Sequence, residues 1–206
     1  MPADYEQLLQ FWFGPLDNGL ASNKQRKLWF NPDKDFDARC AAEFLPFLKQ
    51  AKSGELDHWL ASARGQLAFI LLTDQLPRNI YRGTRAAFAY DPLALATARK
   101  GVSAGSDRQL ELDERAFFYM PFEHSEDISD QHMAVGLFTY LRDSSPKNAR
   151  DITGNTLRFA QQHRDIILEF GRFPHRNAVL DRESTREELD LVEAGDGFGQ
   201  LAPKSG

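Results

Sequence analysis

The sequence predicts an all-α protein. Every long apolar segment repeats with the spacing of a helix, no stretch of five or more residues alternates strictly, and helix-start signals precede several of the periodic runs. Tyr5, Leu8, Leu9, Trp12 and Phe13 form the first amphipathic segment, which Gly14-Pro15 stops. Asn31-Pro32 reads as an N-cap followed by proline at the first helical position, opening a helix that runs to Gly54. Residues 55–62 form a short helix around Trp59. Residues 64–79 are almost uniformly apolar through Leu67-Ala68-Phe69-Ile70-Leu71-Leu72, a pattern tolerated only where protein surrounds the helix. Asp91-Pro92 starts another helix, which ends near Gly101 or Gly105.

Residues 113–121 carry Phe117, Phe118, Tyr119 and Met120 before Pro121 interrupts. Ser125 caps the following helix, which ends near Arg142. A long helix fills about 149–171, and Ser184-Thr185-Arg186-Glu187 supplies a capping box for the last one. The sum is eight or nine helices in a single domain over residues 1–194. The glycine-rich stretch 195–206 reads as a disordered tail.

At 206 residues, with 42% apolar residues and sixteen Phe, the chain is long enough to bury one core. A net charge of −5 argues against a nucleic-acid binder, which would show a basic excess. The longest apolar run is too short to span a bilayer, and the N-terminus lacks the pattern of a secretory signal. One cysteine, Cys40, excludes an internal disulfide and a multi-thiolate metal site. A soluble, cytoplasmic protein is expected. Its 17 arginines against 8 lysines point to ordered, bidentate ion pairs.

One polar phrase occurs twice, as Asp74-Gln75-Leu76-Pro77-Arg78-Asn79 and as Gly171-Arg172-Phe173-Pro174-His175-Arg176-Asn177. Each copy lies where an apolar helix runs out, and each is followed by a further arginine, Arg82 or Arg182. Between them stands an acidic junction, Pro121-Phe122-Glu123-His124-Ser125-Glu126-Asp127. Residues 111–130 carry a net −6, whereas residues 64–85 carry +3 and residues 158–186 carry +2. This complementarity draws the three segments together.

Leu67, Leu71, Asp74 and Arg78 share one helical face, so the ion pair continues an apolar stripe. Burial then obliges both charges to find partners. His163 lies on the core-facing stripe of Phe159, Ile166, Ile167 and Phe170, where a histidine is more often a hydrogen-bonded core residue than a ligand. A helical di-iron site would need two Glu-x-x-His motifs, and only Glu55-x-x-His58 fits. A mononuclear metal on Glu123, His124, Glu126, His163 or His175 stays open although nothing in the spacing demands it, and the cofactor is left undetermined.

These phrases also carry a family resemblance. Phe11-Trp12-Phe13-Gly14, Leu28-Trp29-Phe30, Thr73-Asp74-Gln75-Leu76-Pro77-Arg78-Asn79-Ile80-Tyr81-Arg82-Gly83, Phe88-Ala89-Tyr90-Asp91, Tyr119-Met120-Pro121-Phe122-Glu123-His124-Ser125-Glu126 and Phe170-Gly171-Arg172-Phe173-Pro174-His175-Arg176-Asn177 occur in order. In them the chain resembles the domain of unknown function 924 family, over residues 11 to about 192. The resemblance implies a tetratricopeptide-like helical superhelix and no assigned activity. Where the pattern most often reads Leu-Gly-Arg, this chain has Leu180-Asp181-Arg182.

Two functions are weighed. In the first, a buried polar site binds or acts on a small anionic compound bearing carboxylate or phosphate. Asp74, Gln75, Arg78, Asn79, Arg82, Glu126, Arg172, Arg176 and Asn177 would hold it, with Glu123 and His124 or His175 as acid and base. In the second, a tetratricopeptide-like scaffold binds a protein segment and the polar motifs are structural. A closed pocket lined by motif residues favours the first; a concave groove with exposed aromatics favours the second.

Overall fold

A computed structural model of the chain describes residues 4–195, and the expected tail lies almost wholly outside the described residues. The helices are α1 (Asp4–Phe13), α2 (Asn23–Phe30), α3 (Lys34–Ser53), α4 (Ala63–Ile70), α5 (Leu76–Ile80), α6 (Asp91–Ala104), α7 (Leu112–Glu123), α8 (Ile128–Ser144), α9 (Arg150–Phe170) and α10 (Arg186–Glu193). Short 3-10 turns join several of them. The protein is all-α, with no strand among the described residues and only an isolated bridge between Asp17 and Leu20. No helix of the described residues is long and apolar enough to cross a membrane.

Several boundaries differ from those the sequence predicts, each for a local reason. Helix α2 is not among the expected elements, because Asn23-Lys24-Gln25-Arg26-Lys27 carries no apolar period. It forms because Ser22 Oγ accepts the Gln25 N–H (3.2 Å), while Gln25 Nε2 and Trp29 Nε1 both donate to the Trp12 carbonyl (2.6 and 2.8 Å). Asn31 therefore closes α2, and the cap of α3 is Asp33, whose Oδ1 accepts from Phe36 N at 2.9 Å. Pro121 does not interrupt α7, which continues to Glu123. Asp127 caps α8 in place of Ser125, accepting from Ser129 N at 2.8 Å. The last capping box is Thr185 with Glu188, one residue on from the expected frame.

Leu67, Ala68, Phe69, Ile70, Leu71 and Leu72 are all buried, as the uniform apolarity requires. Helix α4 is the central post, touching α1, α6 and α7. It passes into α5 through a π-helical turn, Leu71–Gln75, closed by a Leu76 N–H bond to the Leu71 carbonyl. Pro77 accounts for this widening. In a regular helix its ring would press on the carbonyl four residues back, and a π turn relieves such crowding by admitting one extra residue. On the other side, α8 lies against α7 and α9. Gly101 lets α6 approach α7 closely, since a Cβ there would meet the Phe118 ring at 2.3 Å.

Candidate functional site

The π turn delivers Asp74 into the interior with a relative exposure of 0%. Its Oδ1 accepts from His124 Nδ1 at 2.7 Å and lies 3.2 Å from Arg78 NH1, while Oδ2 accepts from Gln75 Nε2 at 2.6 Å. Burial alone would raise the Asp74 pKa, but Arg78 and His124 outweigh it and hold the carboxyl well below its usual range. An ionised carboxylate only accepts, so the His124 proton sits on Nδ1 and Nε2 is the lone-pair nitrogen. Burial, then Arg78, pushes the His124 pKa down against the pull of Asp74, leaving the imidazole neutral at pH 7.

Arg78 sends NH1 to the Asp74 carbonyl (2.6 Å) and forks onto Asp91 through NH1 and NH2 (2.7 and 2.9 Å). Arg176, from the second copy of the phrase, reaches the same place. Its NH1 is 3.9 Å from Asp91 Oδ2, and its guanidinium lies between the rings of Phe88 (4.7 Å) and Phe173 (4.4 Å). Arg78 lies over the same Phe88 ring at 5.5 Å. The two echoing arginines thus share one ring and one carboxylate. Burial and the facing Arg78 lower the Arg176 pKa to about 10.

The acidic junction joins the same assembly. Glu126 accepts Phe173 N–H (2.8 Å) and pairs with both terminal nitrogens of Arg182 (2.7 and 3.0 Å). Glu123 Oε1 lies 2.9 Å from His163 Nδ1, which also contacts the Phe159 carbonyl at 2.9 Å. The rings of His124 and His163 are 6.1 Å apart, so two carboxylate–imidazole pairs stand side by side. Buried Gln131 fixes the end of α7 by donating from Nε2 to the carbonyls of Glu123 and Ser125 (2.7 and 2.6 Å). The expected grouping of Asp74, Arg78, Glu123, Glu126 and Arg176 therefore forms, linked through Asp91, His124 and Phe173.

A cavity of about 320 Å³ opens on one side of this assembly, within the range of small-molecule sites. Gln75, Arg78, Arg82, Glu123, His124 and His163 form its polar wall. Trp29, Phe30, Met120, Phe138 and Phe159 form the apolar one. Five of the anticipated residues thus line it, with Asp74 directly behind His124. Asn79 and Arg82 both bind Asp37 of α3 (2.7 Å, and 3.1 Å from each of two Arg82 nitrogens). His175 rests against the Phe173 ring outside the cavity wall, and burial followed by the charge of Arg176 takes its pKa down to about 2.

Arg172 and Asn177 are engaged away from the cavity. Both hold Glu188 of α10, Arg172 at 2.7 and 2.8 Å and Asn177 at 3.1 Å, and neither lines the cavity. Other contributors are hidden in the sequence. Asp37 belongs to no motif there, Asp91 marks a helix start and closes a family phrase, and His163 reads as a core histidine. A polar residue on an otherwise apolar stripe is the available signal for His163. Trp29 and Phe30 are marked only by the family phrase Leu28-Trp29-Phe30, since their helix has no apolar period. Among the described residues, no group of three or more His, Cys, Asp or Glu side chains is placed to hold a metal ion.

The model of a family described as "Bacterial protein of unknown function (DUF924)" matches residues 8–196. The chain belongs to this family. A solved structure, the protein of unknown function ATU0120 from Agrobacterium tumefaciens, is similar over 93% of this chain and 97% of its own, with 38% identity and a TM-score of 0.77. The curated proteins contain no match. Asp181, of the phrase Leu180-Asp181-Arg182, sits in the left-handed region at φ 54°. Aspartate is among the few side chains that tolerate it.

Glu123 stands in a segment dense with acids, with His163 Nδ1 2.9 Å from its Oε1. Glu123→Gln is expected to leave the thermal midpoint near pH 7 unchanged or slightly raised, since an amide keeps a contact to His163 while removing charge from the acidic junction. A drop of several degrees would make the carboxylate a structural anchor.

Proposed function

We propose that the cavity binds a small anionic compound, bearing a carboxylate or phosphate, and that His124 exchanges a proton with it. The observation that carries this reading is the Asp74–His124 pair at 2.7 Å set into a cavity wall beside Arg78 and Arg82. Asp74 holds the imidazole in one tautomer, as an orienting carboxylate does in other acid–base sites. The depressed pKa keeps Nε2 available as a base at neutral pH. Arg78 and Arg82 retain a positive character beside it, although Asp91 and Asp37 share their charge. Glu123, adjacent to His124 and backed by His163, supplies the second proton-transfer group.

The scaffold alternative calls for a concave groove with exposed aromatics and purely structural polar motifs, and the exposed rings of Phe30 and Phe159 fit the first part of it. The motif residues instead line a cavity, which supports the small-molecule reading. Thermal unfolding in inorganic phosphate and in short carboxylates provides the test. An anion present at a hundred times its Kd should add about 2.7 kcal/mol, and His124→Asn should diminish that gain at unchanged fold. Absence of a shift with every anion, in the wild-type protein, would remove the anionic-ligand reading and favour the scaffold.

A further inference from the structure

The polar wall accounts for only part of the cavity. The lining also includes Trp29, Met120 and Phe138, all buried, and Phe30 and Phe159, which are 56% and 54% exposed. A single exposed aromatic is ordinary on a protein surface. Here two such rings come from separate helices, α2 and α9, and both line the same cavity together with three buried apolar side chains. On α9, Phe159 stands one turn before His163, so an exposed ring adjoins the polar lining. A fully hydrated ion such as phosphate would leave these apolar side chains wet.

Resting on the proposed anion site, we infer that the ligand is amphipathic, with its anionic head against Arg78 and Arg82 and an aliphatic or aromatic body running out between Phe30 and Phe159. The volume sets its size. At roughly 30 Å³ for each water-sized group, the cavity holds on the order of ten non-hydrogen atoms. Burial of the body against five apolar side chains supplies most of the affinity, and the head fixes its orientation.

The probes are the straight-chain carboxylates from acetate to decanoate, with 1-octanol as the uncharged counterpart of octanoate. Calorimetric titration uses the full chain, below micelle-forming concentrations. Affinity should rise about fourfold per methylene, the equivalent of ~0.8 kcal/mol per buried CH₂, and level off near eight carbons. Phe159→Ala should weaken octanoate about tenfold and leave acetate unchanged, and Phe30→Ala should act likewise. Because both rings are exposed, these variants retain the fold, which the unliganded thermal midpoint verifies. Affinity that stays flat with chain length, while short anions bind, overturns the amphipathic ligand and leaves the anion site standing. Octanoate binding that ignores both substitutions also overturns it. Equal affinity for octanoate and 1-octanol supports the apolar body and removes the anionic head, so the two readings fail separately.

Discussion

Asp74→Ala should cost about 2–4 kcal/mol of stability, more than a surface ion pair contributes. The carboxylate is wholly buried and satisfies three groups at once: His124, Arg78 and Gln75. Its removal strands buried hydrogen-bond donors. Arg78 keeps Asp91, so the loss is not that of an arginine left without any counter-charge. Urea denaturation at pH 7 measures it. A midpoint unchanged within error would mean that the pair is solvated and the site open to water.

Acid should destabilise the protein well before its carboxylates titrate. His175 has an ordinary pKa of 6.5, lowered to about 2 in the folded chain by burial and by Arg176, with His163, Arg78 and His124 adding to the effect. The unfolded chain therefore takes up the proton first. This contribution is complete above pH 6.5 and declines as pH falls, by about 1.4 kcal/mol per unit, or about 2–3 kcal/mol by pH 4.5. His124, also shifted down, acts in the same direction. Asp74 and Glu126 lie below their ordinary values, so their losses begin only below about pH 4.5. Denaturation midpoints across pH 5–7 should slope steeply for the wild type and distinctly less for His175→Gln. Equal slopes would show that His175 is hydrated in the folded protein.

Helix type and the placing of the three polar phrases are legible in the sequence because both depend on local pattern. Apolar runs such as Leu67–Leu72 admit one interpretation, and the charge contrast between residues 111–130 and their basic counterparts already implies contact. Features set by distant atoms are not legible in this way. Helix α2 depends on the Trp12 carbonyl, which accepts from two of its residues. Asn177 echoes Asn79 in sequence, yet Glu188, supplied by a later helix, takes it together with Arg172 for α10. The shared-face argument for Leu67, Leu71, Asp74 and Arg78 reaches the right burial by an incomplete route, since it assumes a regular helix through Leu71–Gln75.

That turn amounts to a one-residue insertion within an otherwise continuous helix. The insertion changes the angular phase between α4 on one side and α5 on the other, so Arg78 and Arg82 are aimed by a count of residues as well as by their chemistry. A related chain lacking one residue between positions 71 and 75 could keep every motif letter, retain a well-formed helix, and still point its arginines elsewhere. Within such a lineage, a single gap in this short span would separate proteins that carry this site from proteins that have only its vocabulary.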